Sequence, residues 1–287
     1  MTYTLENDYL RIVADEEGAE LTSVYSKKDS AEYLWQADER YWKRHAPVLF
    51  PIVGSLSGKK LVIDGVDYPM GQHGFARDKA FRLSSKTDDA IWFVLDSDEE
   101  TMKLYPYAFR LEIGYVLREN AVKTIWRVTN TGDGPVLHYQ IGGHPAFNCP
   151  AADSFFFHFD TKAPIRYRLL NGQGLLVDKE YELATEDGYY EFRKDMFDKD
   201  ALIIEGGQAG EVSLCLPDKK ACLTVIFDSP LFGLWSPAGK NAPFVCIEPW
   251  YGRADRDAFS GDISEREYDQ ALEKGESREY SYTIRVE

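Results

Sequence analysis

The sequence predicts an all-β protein, built as an antiparallel sandwich or barrel, and three observations support this class. Short apolar or alternating stretches follow one another along the 287 residues, with turn signals between them. Aromatic residues, which favour sheets, make up 14% of the chain, and helical signals are scarce. No linker, low-complexity tract or internal repeat divides the sequence, so we predict one large domain over residues 1–287.

Turn signals define the predicted strands in chain order. Asp64-Gly65 is a hairpin signal between strands at 60–63 and 66–68. Further strands are predicted at 90–95, 109–117, 122–130, 136–141, 213–216, 221–227 and 280–286. The segment Ser264-Glu-Arg-Glu267 has the spacing of a capping box and predicts a short helix that ends near Gly275.

The charge of the chain limits its partners. It has 33 Lys and Arg residues against 48 Asp and Glu residues, a formal net charge of −15. Such an acidic surface repels phosphates and anionic lipids, so neither nucleic acid nor a membrane is an expected partner. No run approaches the roughly 18 apolar residues of a membrane span. The first eight residues show no signal-peptide pattern, and we expect a cytoplasmic location.

The four cysteines, Cys149, Cys215, Cys222 and Cys246, show no Cys-x-x-Cys spacing. Zinc is therefore a weak hypothesis, and free thiols in a reducing compartment are the default. A disulfide between Cys215 and Cys222 across a predicted hairpin is the alternative. Neither a His-Glu-x-x-His pattern nor a glycine-rich nucleotide motif occurs, so the sequence predicts no metal and no cofactor.

One carboxylate, Glu248, ends the apolar run of the stretch Phe-Val-Cys-Ile-Glu-Pro-Trp-Tyr-Gly. A desolvated carboxylate must find partners or have a raised pKa. The rings of Trp250 and Tyr251 offer a surface on which a ligand could stack, and this setting fits a general base with a raised pKa. The alternative is a structural ion pair between Glu248 and an arginine of the following loop, Arg253 or Arg256.

Two histidines lie beside glycines. His144 follows a predicted strand in Gly142-Gly-His-Pro-Ala-Phe-Asn148, where the glycines permit a turn or a close approach to a ligand. A fixed imidazole at a strand end suits a proton donor, and the alternative is a histidine that satisfies a local turn. His73 lies in a glycine-containing loop that suits ligand binding or a simple turn equally. Arg44 could donate to ligand hydroxyls or pair with an acid.

Three motifs occur in a specific order, namely Gln72-His-Gly-Phe75, Gly142-Gly-His-Pro-Ala-Phe-Asn148 and Ile247-Glu-Pro-Trp250. Together they resemble the aldose 1-epimerase, or mutarotase, family over nearly the whole chain. The stretches Arg44-His-Ala-Pro-Val-Leu-Phe-Pro51 and His73-Gly-Phe-Ala-Arg77 resemble its divergent LacX-like branch. The resemblance implies a large antiparallel β-sandwich of the galactose mutarotase-like kind, with the sugar in an open cleft.

The resemblance also implies roles for single residues. His144 matches the general acid of the family, and Glu248 matches the general base. The substrate-binding residues that the resemblance implies are Arg44, His73, Asp200 and Trp235. Asp195 and Asp198, which are neighbours of Asp200, remain alternatives for the substrate-binding aspartate.

The implied activity is an aldose 1-epimerase that interconverts the α and β anomers of an aldohexose without a cofactor, as a monomer or homodimer. Ala146 and Gln72 differ from typical galactose mutarotases and leave the sugar open. One alternative is a mutarotase for phosphorylated hexoses, with a basic pocket formed by Lys43, Arg44, Arg77, Lys79, Arg253 and Arg256. A non-catalytic sugar-binding protein is another. A glycosidase is disfavoured because it needs two carboxylates across the bond.

Overall fold

The computed structural model describes residues 1–149 and 154–287, and over these ranges the chain is nearly all strand. The first strands are β1 (Thr2–Glu6), β2 (Leu10–Asp15), β3 (Leu21–Ser26), β4 (Ala31–Glu32), β5 (Val48–Leu49), β6 (Lys60–Ile63), β7 (Val66–Pro69), β8 (Arg82–Lys86) and β9 (Ala90–Asp96). They are followed by β10 (Phe109–Arg118), β11 (Ala121–Asn130), β12 (Leu137–Tyr139), β13 (Ile141–Gly143), β14 (Ala146–Asn148), β15 (Phe156–Phe159), β16 (Ile165–Leu170) and β17 (Leu176–Leu183).

The remaining strands are β18 (Tyr189–Glu191), β19 (Leu202–Glu205), β20 (Glu211–Cys215), β21 (Ala221–Phe227), β22 (Leu231–Trp235), β23 (Phe244–Tyr251), β24 (Gln270–Leu272) and β25 (Ser277–Val286). Helical structure in the described ranges comprises α1 (Glu99–Leu104) and 3₁₀ turns at Ser57–Lys59, Ala76–Asp78 and Ile263–Glu265. None of these helices is long and apolar enough to cross a membrane.

Two large antiparallel sheets form the body of the protein. A nine-stranded sheet has the order β18-β15-β20-β21-β25-β11-β10-β9-β8. An eight-stranded sheet has the order β17-β16-β19-β22-β23-β13-β5, with β14 also paired to β23. Strands β1 to β4 form a smaller sheet, and β6–β7 and β12–β24 form two-stranded ribbons. The predicted all-β antiparallel class is confirmed, as is the hairpin at Asp64-Gly65 between β6 and β7.

The facing surfaces of the two large sheets form the main core. Phe227 of the nine-stranded sheet packs on Phe232 of the eight-stranded sheet, with ring centroids 5.1 Å apart. Tyr280 and Tyr251 make a second contact between the sheets at 4.4 Å. Fully burying one large apolar side chain stabilises a fold by about 1.5–3 kcal/mol, so these aromatic contacts hold the sandwich together.

Strand β23 is buried on both faces, and its two faces have different roles. Val245, Ile247 and Tyr251 belong to the core between the sheets. The side chains at 244, 246, 248 and 250 alternate with them and lie on the outer face of the eight-stranded sheet. Because Tyr251 points into the core, the prediction that it shares a ligand-stacking surface with Trp250 is wrong.

The helix predicted after Ser264 is also wrong. A capping box is present, but it is formed by Asp262 and Glu265 and closes a single 3₁₀ turn at Ile263–Glu265. The chain then forms β24 against β12. No apolar helical face follows the cap, and a capping signal without tertiary packing does not sustain a helix.

None of the four cysteines forms a disulfide. Cys215 pairs in the hairpin register with Ala221 rather than with Cys222. The alternative of a disulfide between Cys215 and Cys222 is therefore excluded in this structure, and the free-thiol prediction agrees with it.

Candidate active site

A cavity of about 190 Å³ lies on the outer face of the eight-stranded sheet. Five of the predicted site residues line it, namely His73, His144, Asp200, Trp235 and Glu248. They are distant in sequence but meet because β19, β22, β23 and β13 are successive neighbours in the sheet. The cavity is smaller than the roughly 300–1,000 Å³ of pockets for drug-sized ligands, so it suits one small molecule.

The strand register brings the two predicted catalytic residues together. Gly142 of β13 pairs with Trp250, and Ala146 of β14 pairs with Cys246. His144, between these two strands, therefore lies opposite Glu248 in the middle of β23. Its Nε2 is 3.2 Å from Oε2 of Glu248, and Glu248 is only 1% exposed. The two residues form a buried imidazole–carboxyl pair.

The glycine pair before His144 is explained by packing. A Cβ atom on Gly142 would lie 2.6 Å from the ring of Trp250, and one on Gly143 would lie 2.9 Å from the ring of Trp126. Neither distance is tolerable for a real side chain. The glycines thus allow two tryptophans to approach the strand, and they are not needed for a turn.

Burial governs the charge of the pair. Both carboxylate oxygens of Glu248 lack a hydrogen-bond donor in the described part of the chain. Burial, with a smaller effect from Asp200, raises the pKa of Glu248 well above its usual value. Burial, with a further effect from Arg77, lowers the pKa of His144 to about 3. Both groups therefore favour their neutral forms.

The alternative of an ion pair between Glu248 and a loop arginine is wrong. Arg253 is 2% exposed and binds Glu205 through Nε at 2.8 Å, and it also contacts Glu267. Arg256 binds Glu267 at 2.8 Å and Asp178 at 2.5 Å. Both arginines are occupied by acids outside the cavity, so Glu248 has no cationic partner in that loop.

His73 is held rigidly at one end of the cavity. Its backbone has φ of 65°, and its N–H donates to the carbonyl of Gly54 at 2.9 Å. The N–H of Gly54 in turn donates to Nδ1 of His73 at 3.1 Å. Because Nδ1 accepts this bond, the ring proton of the neutral imidazole lies on Nε2. Burial also keeps the pKa of His73 well below its usual value, so the residue is a fixed neutral donor.

Arg44 and Arg77 differ in their access to the cavity. Arg77 lines it, whereas Arg44 is not one of its lining residues and donates to the carbonyl of Arg77 at 3.3 Å and to Asp78 at 2.7 Å. Nη2 of Arg77 donates to the carbonyl of Gln72 at 2.7 Å. Its Nε is buried without an acceptor in the described ranges. Burial, together with the charge of Arg44, lowers the pKa of Arg77 to about 10.

Sequence reasoning considered Arg77 as a phosphate ligand and did not select it as a site residue. The sequence feature that could have identified Arg77 is its position four residues after His73 in the same loop. Trp42 was missed altogether, although its ring stacks on His144 with centroids 4.7 Å apart and an angle of 27°. Trp235 contacts the same imidazole edge-on at 5.3 Å. Trp42 lies in the connection between β4 and β5, where no periodic pattern marks it.

The three candidate aspartates are separated by the structure. Asp200 lines the cavity, and its Oδ1 accepts the backbone N–H of Ala201 at 2.8 Å. Asp195 instead pairs with Arg193 at 2.9 Å. Asp198 does not line the cavity but lines a wider groove that adjoins it and shares Trp42, Asp200 and Trp235 with it. Among these residues, Asp200 is the one that lines the cavity together with Glu248.

A large antiparallel β-sandwich of this kind defines the galactose mutarotase-like class of folds. Residues 1–285 match the family model described as aldose 1-epimerase. The chain belongs to the aldose 1-epimerase family. It is also 32% identical to the chromosomal protein LacX of Lactococcus lactis subsp. lactis over 270 residues, which cover 88% of each chain, and it belongs to this LacX-like branch.

Two solved structures are very similar to this chain. One is a galactose mutarotase related enzyme from Lactobacillus acidophilus, with a TM-score of 0.94 and 35% identity over 100% of this chain and 97% of the other. The second is a galactose mutarotase-like protein from Lactobacillus casei, with a TM-score of 0.94 and 28% identity over 100% of both chains. Family membership places the chain among the sugar epimerases, which are isomerases.

Proposed function

We propose that the protein is an aldose 1-epimerase that interconverts the α and β anomers of a neutral aldohexose. The observation that carries this proposal is the buried pair of His144 and Glu248, 3.2 Å apart, in a cavity the size of one small ligand. Such a pair can accept one proton and donate another within the same step. Cysteines without disulfides suit a reducing cytoplasm, where we place the reaction.

Unpartnered polar groups support a ligand with several hydroxyls. The oxygens of Glu248, Nδ1 of His144, Nε of Arg77 and Nε1 of Trp250 are all buried and lack hydrogen-bond partners in the described ranges. Each such group costs about 1–3 kcal/mol while it stays unsatisfied. A sugar offers alternating donors and acceptors around one ring, together with an apolar face for the tryptophans. Binding it would therefore satisfy several of these groups at once.

The proposed reaction uses only the residues of this chain. Glu248 accepts the proton of the C1 hydroxyl while His144, as imidazolium, donates a proton to the ring oxygen. The bond between C1 and the ring oxygen breaks, and C1 and its own oxygen become an aldehyde. Rotation about the bond between C1 and C2 followed by the reverse proton transfers closes the ring to the other anomer. His73, Arg77 and Asp200 hold the remaining hydroxyls in this scheme.

The protonation of the pair requires one adjustment on binding. Burial raises the pKa of Glu248 and lowers the pKa of His144, so a proton shared by the pair is favoured on the carboxyl of Glu248. Sugar hydroxyls that donate to Glu248 stabilise its charged form and lower its pKa. Once binding aligns the two groups, whose Oε2 and Nε2 atoms lie 3.2 Å apart, the proton can move from Glu248 to His144. The substrate would thus generate the reactive form of the pair.

The experiment that tests the proposal is polarimetry of freshly dissolved α-glucose, α-galactose and glucose 6-phosphate, each with and without the protein. We expect faster mutarotation of a neutral hexose than of its phosphate. Of the basic residues considered for a phosphate pocket, Arg253 and Arg256 are neutralised by acids, and Arg44 pairs with Asp78. Faster turnover of the phosphate would reverse this ranking. Sugar binding without any turnover would favour the non-catalytic alternative.

The plot of the mutarotation rate against pH should be bell-shaped. The reactive pair must hold one proton, so the rate falls at low pH when a second proton binds and at high pH when the last is lost. Burial favours neutral His144 and neutral Glu248. It therefore lowers the pH at which the second proton binds and raises the pH at which the last proton is lost. His144→Asn removes the acid, so its residual rate should rise with pH through the titration of Glu248 and show no alkaline limb. An unchanged bell in this variant would contradict the pairing.

Trp42 should affect both the orientation and the charge of His144. The stacked indole favours imidazolium through a cation–π interaction, which is worth about 0.5–2 kcal/mol. Trp42→Ala should therefore lower turnover by roughly 2- to 30-fold and shift the alkaline limb of the pH profile to lower pH. Trp42→Phe keeps an aromatic face and serves as the matched control. Equal losses of turnover in Trp42→Ala and Trp42→Phe would mean that Trp42 only contacts the sugar.

A further inference from the structure

A thiol lies next to the buried pair and has no part in the proposed sugar reaction. Cys246 is two residues before Glu248 on β23, so both side chains lie on the same face of the strand. Sγ of Cys246, a carboxylate oxygen of Glu248 and a ring nitrogen of His144 all lie within 4.8 Å of one another. All three residues are buried.

These three groups are the ligand types that zinc prefers. Zn²⁺ binds cysteine sulfur at roughly 2.3 Å and histidine nitrogen or carboxylate oxygen at roughly 2.0–2.2 Å, in a tetrahedral arrangement. We propose that His144, Cys246 and Glu248 form a binding site for Zn²⁺ or a similar divalent cation, and that this cation inhibits the protein. The inhibition rests on the proposed sugar reaction, whereas the binding does not.

The distance between two of the three ligand atoms already matches a zinc site. Two zinc ligands at 2.0 Å in a tetrahedron are roughly 3.3 Å apart, and Nε2 of His144 already lies 3.2 Å from Oε2 of Glu248. Sγ of Cys246 lies within 4.8 Å of the other two ligand atoms and would have to move closer to them. The fourth position would be left for water. Hence the site resembles a catalytic rather than a structural zinc geometry.

Charge balance favours the same cation. The oxygens of Glu248 have no donor in the described residues, and a buried carboxylate is stable only when it is neutral, paired or bound to a metal. A thiolate and a carboxylate together neutralise a divalent ion, with neutral imidazole as the third ligand. Binding also consumes the atoms that the sugar reaction needs, which is why we expect competition with sugar.

Cobalt titration of the intact protein tests the binding without any sugar assay. Co²⁺ replaces zinc in such sites, and a thiolate ligand gives it a charge-transfer band in the near ultraviolet. We expect one equivalent of Co²⁺ to produce this band and Zn²⁺ to abolish it. Absence of the band at one equivalent would overturn the proposal.

Two cysteine variants locate the site. Cys246→Ala should remove the band and weaken zinc binding by more than the roughly 10–100-fold that the loss of an outer-shell partner costs. Cys222→Ser, which changes a thiol on the other large sheet, should leave both unchanged. Should Cys246→Ala fail to fold, Glu248→Gln serves instead, since it should weaken zinc binding while it keeps the thiol. A band that survives in folded Cys246→Ala, or an unchanged zinc affinity in Glu248→Gln, would overturn the assignment.

Inhibition is measured separately by polarimetry with added Zn²⁺. We expect lower turnover that a chelator restores, and a smaller zinc effect at higher sugar concentration. Cys246→Ala should be much less sensitive to zinc. Stoichiometric binding without inhibition would overturn the inhibitory role, and a protein without mutarotase activity would refute the proposed function while the cobalt result still stands.

Discussion

Replacement of Glu248 by Gln is expected to lower turnover of the aldohexose by roughly 10²-fold or more, which is the usual contribution of one general base. The amide has nearly the same shape, but it cannot accept the C1 proton. Sugar binding should change far less, because His73, Arg77, Asp200 and the tryptophan walls remain. The measurements are the initial rate of mutarotation and the affinity for the sugar by calorimetry.

The same variant should keep or gain stability. The pKa of Glu248 is raised in the folded state, so above its unfolded value the folded state binds more protons than the unfolded one. Stability therefore falls as pH rises toward the folded pKa of Glu248. The pKa of His144 is lowered in the folded state, so this residue makes stability rise with pH. It does so only below about pH 7. Above that pH, the melting temperature of Glu248→Gln should equal or exceed that of the parent.

Glu205→Gln is the matched control, since it changes a mostly buried glutamate that lies outside the cavity. Glu205 binds Arg253 at 2.8 Å and Arg168 at 2.7 Å, so this change removes charge from two ion pairs. Its melting temperature should fall while turnover of the folded fraction stays close to normal. The same pattern in Glu248→Gln would mean that Glu248 is structural, and it would promote the non-catalytic sugar-binding alternative.

The sequence predicted the parts of the fold that depend on local pattern. Alternation and turn residues located the long hairpins, because a strand with one buried face must place apolar residues at a period of two. The 3₁₀ turn at Ile263–Glu265 was taken for a helix, because a capping box describes only how a helix begins. Whether a helix continues depends on packing that has no local signal.

The candidate site was predictable where a candidate residue lies within a distinctive motif. Glu248 and His144 stand in such motifs, and the structure brings them to one cavity. Trp42 has no motif, and it reaches His144 because the connection between β4 and β5 crosses the outer face of the sheet. Long-range contacts of this kind are decided by topology. The sequence therefore predicted that Glu248 and His144 belong to the candidate site, but not that the ring of Trp42 stacks on His144.

The ion-pair partners of Arg253 and Arg256 were a second long-range feature that local sequence patterns could not predict. Arg253→Ala is expected to reduce the free energy of unfolding by about 3–5 kcal/mol, the usual cost of removing one member of a buried ion pair. Arg253 is 2% exposed, and Glu205, which it binds, is also largely buried. Arg168 still binds Glu205 in the variant, so the loss should lie toward the lower end of that range.

Arg256→Ala is the matched control for this loss. Arg256 shares the partner Glu267 with Arg253, but its side chain is 37% exposed. Exposed ion pairs contribute about 0–1 kcal/mol, so urea unfolding of this variant should differ little from the parent. Equal destabilisation in the two variants would mean that burial does not distinguish the arginines. A marked loss for Arg253→Ala alone would show that this arginine serves the fold through Glu205, which leaves Glu248 free for chemistry.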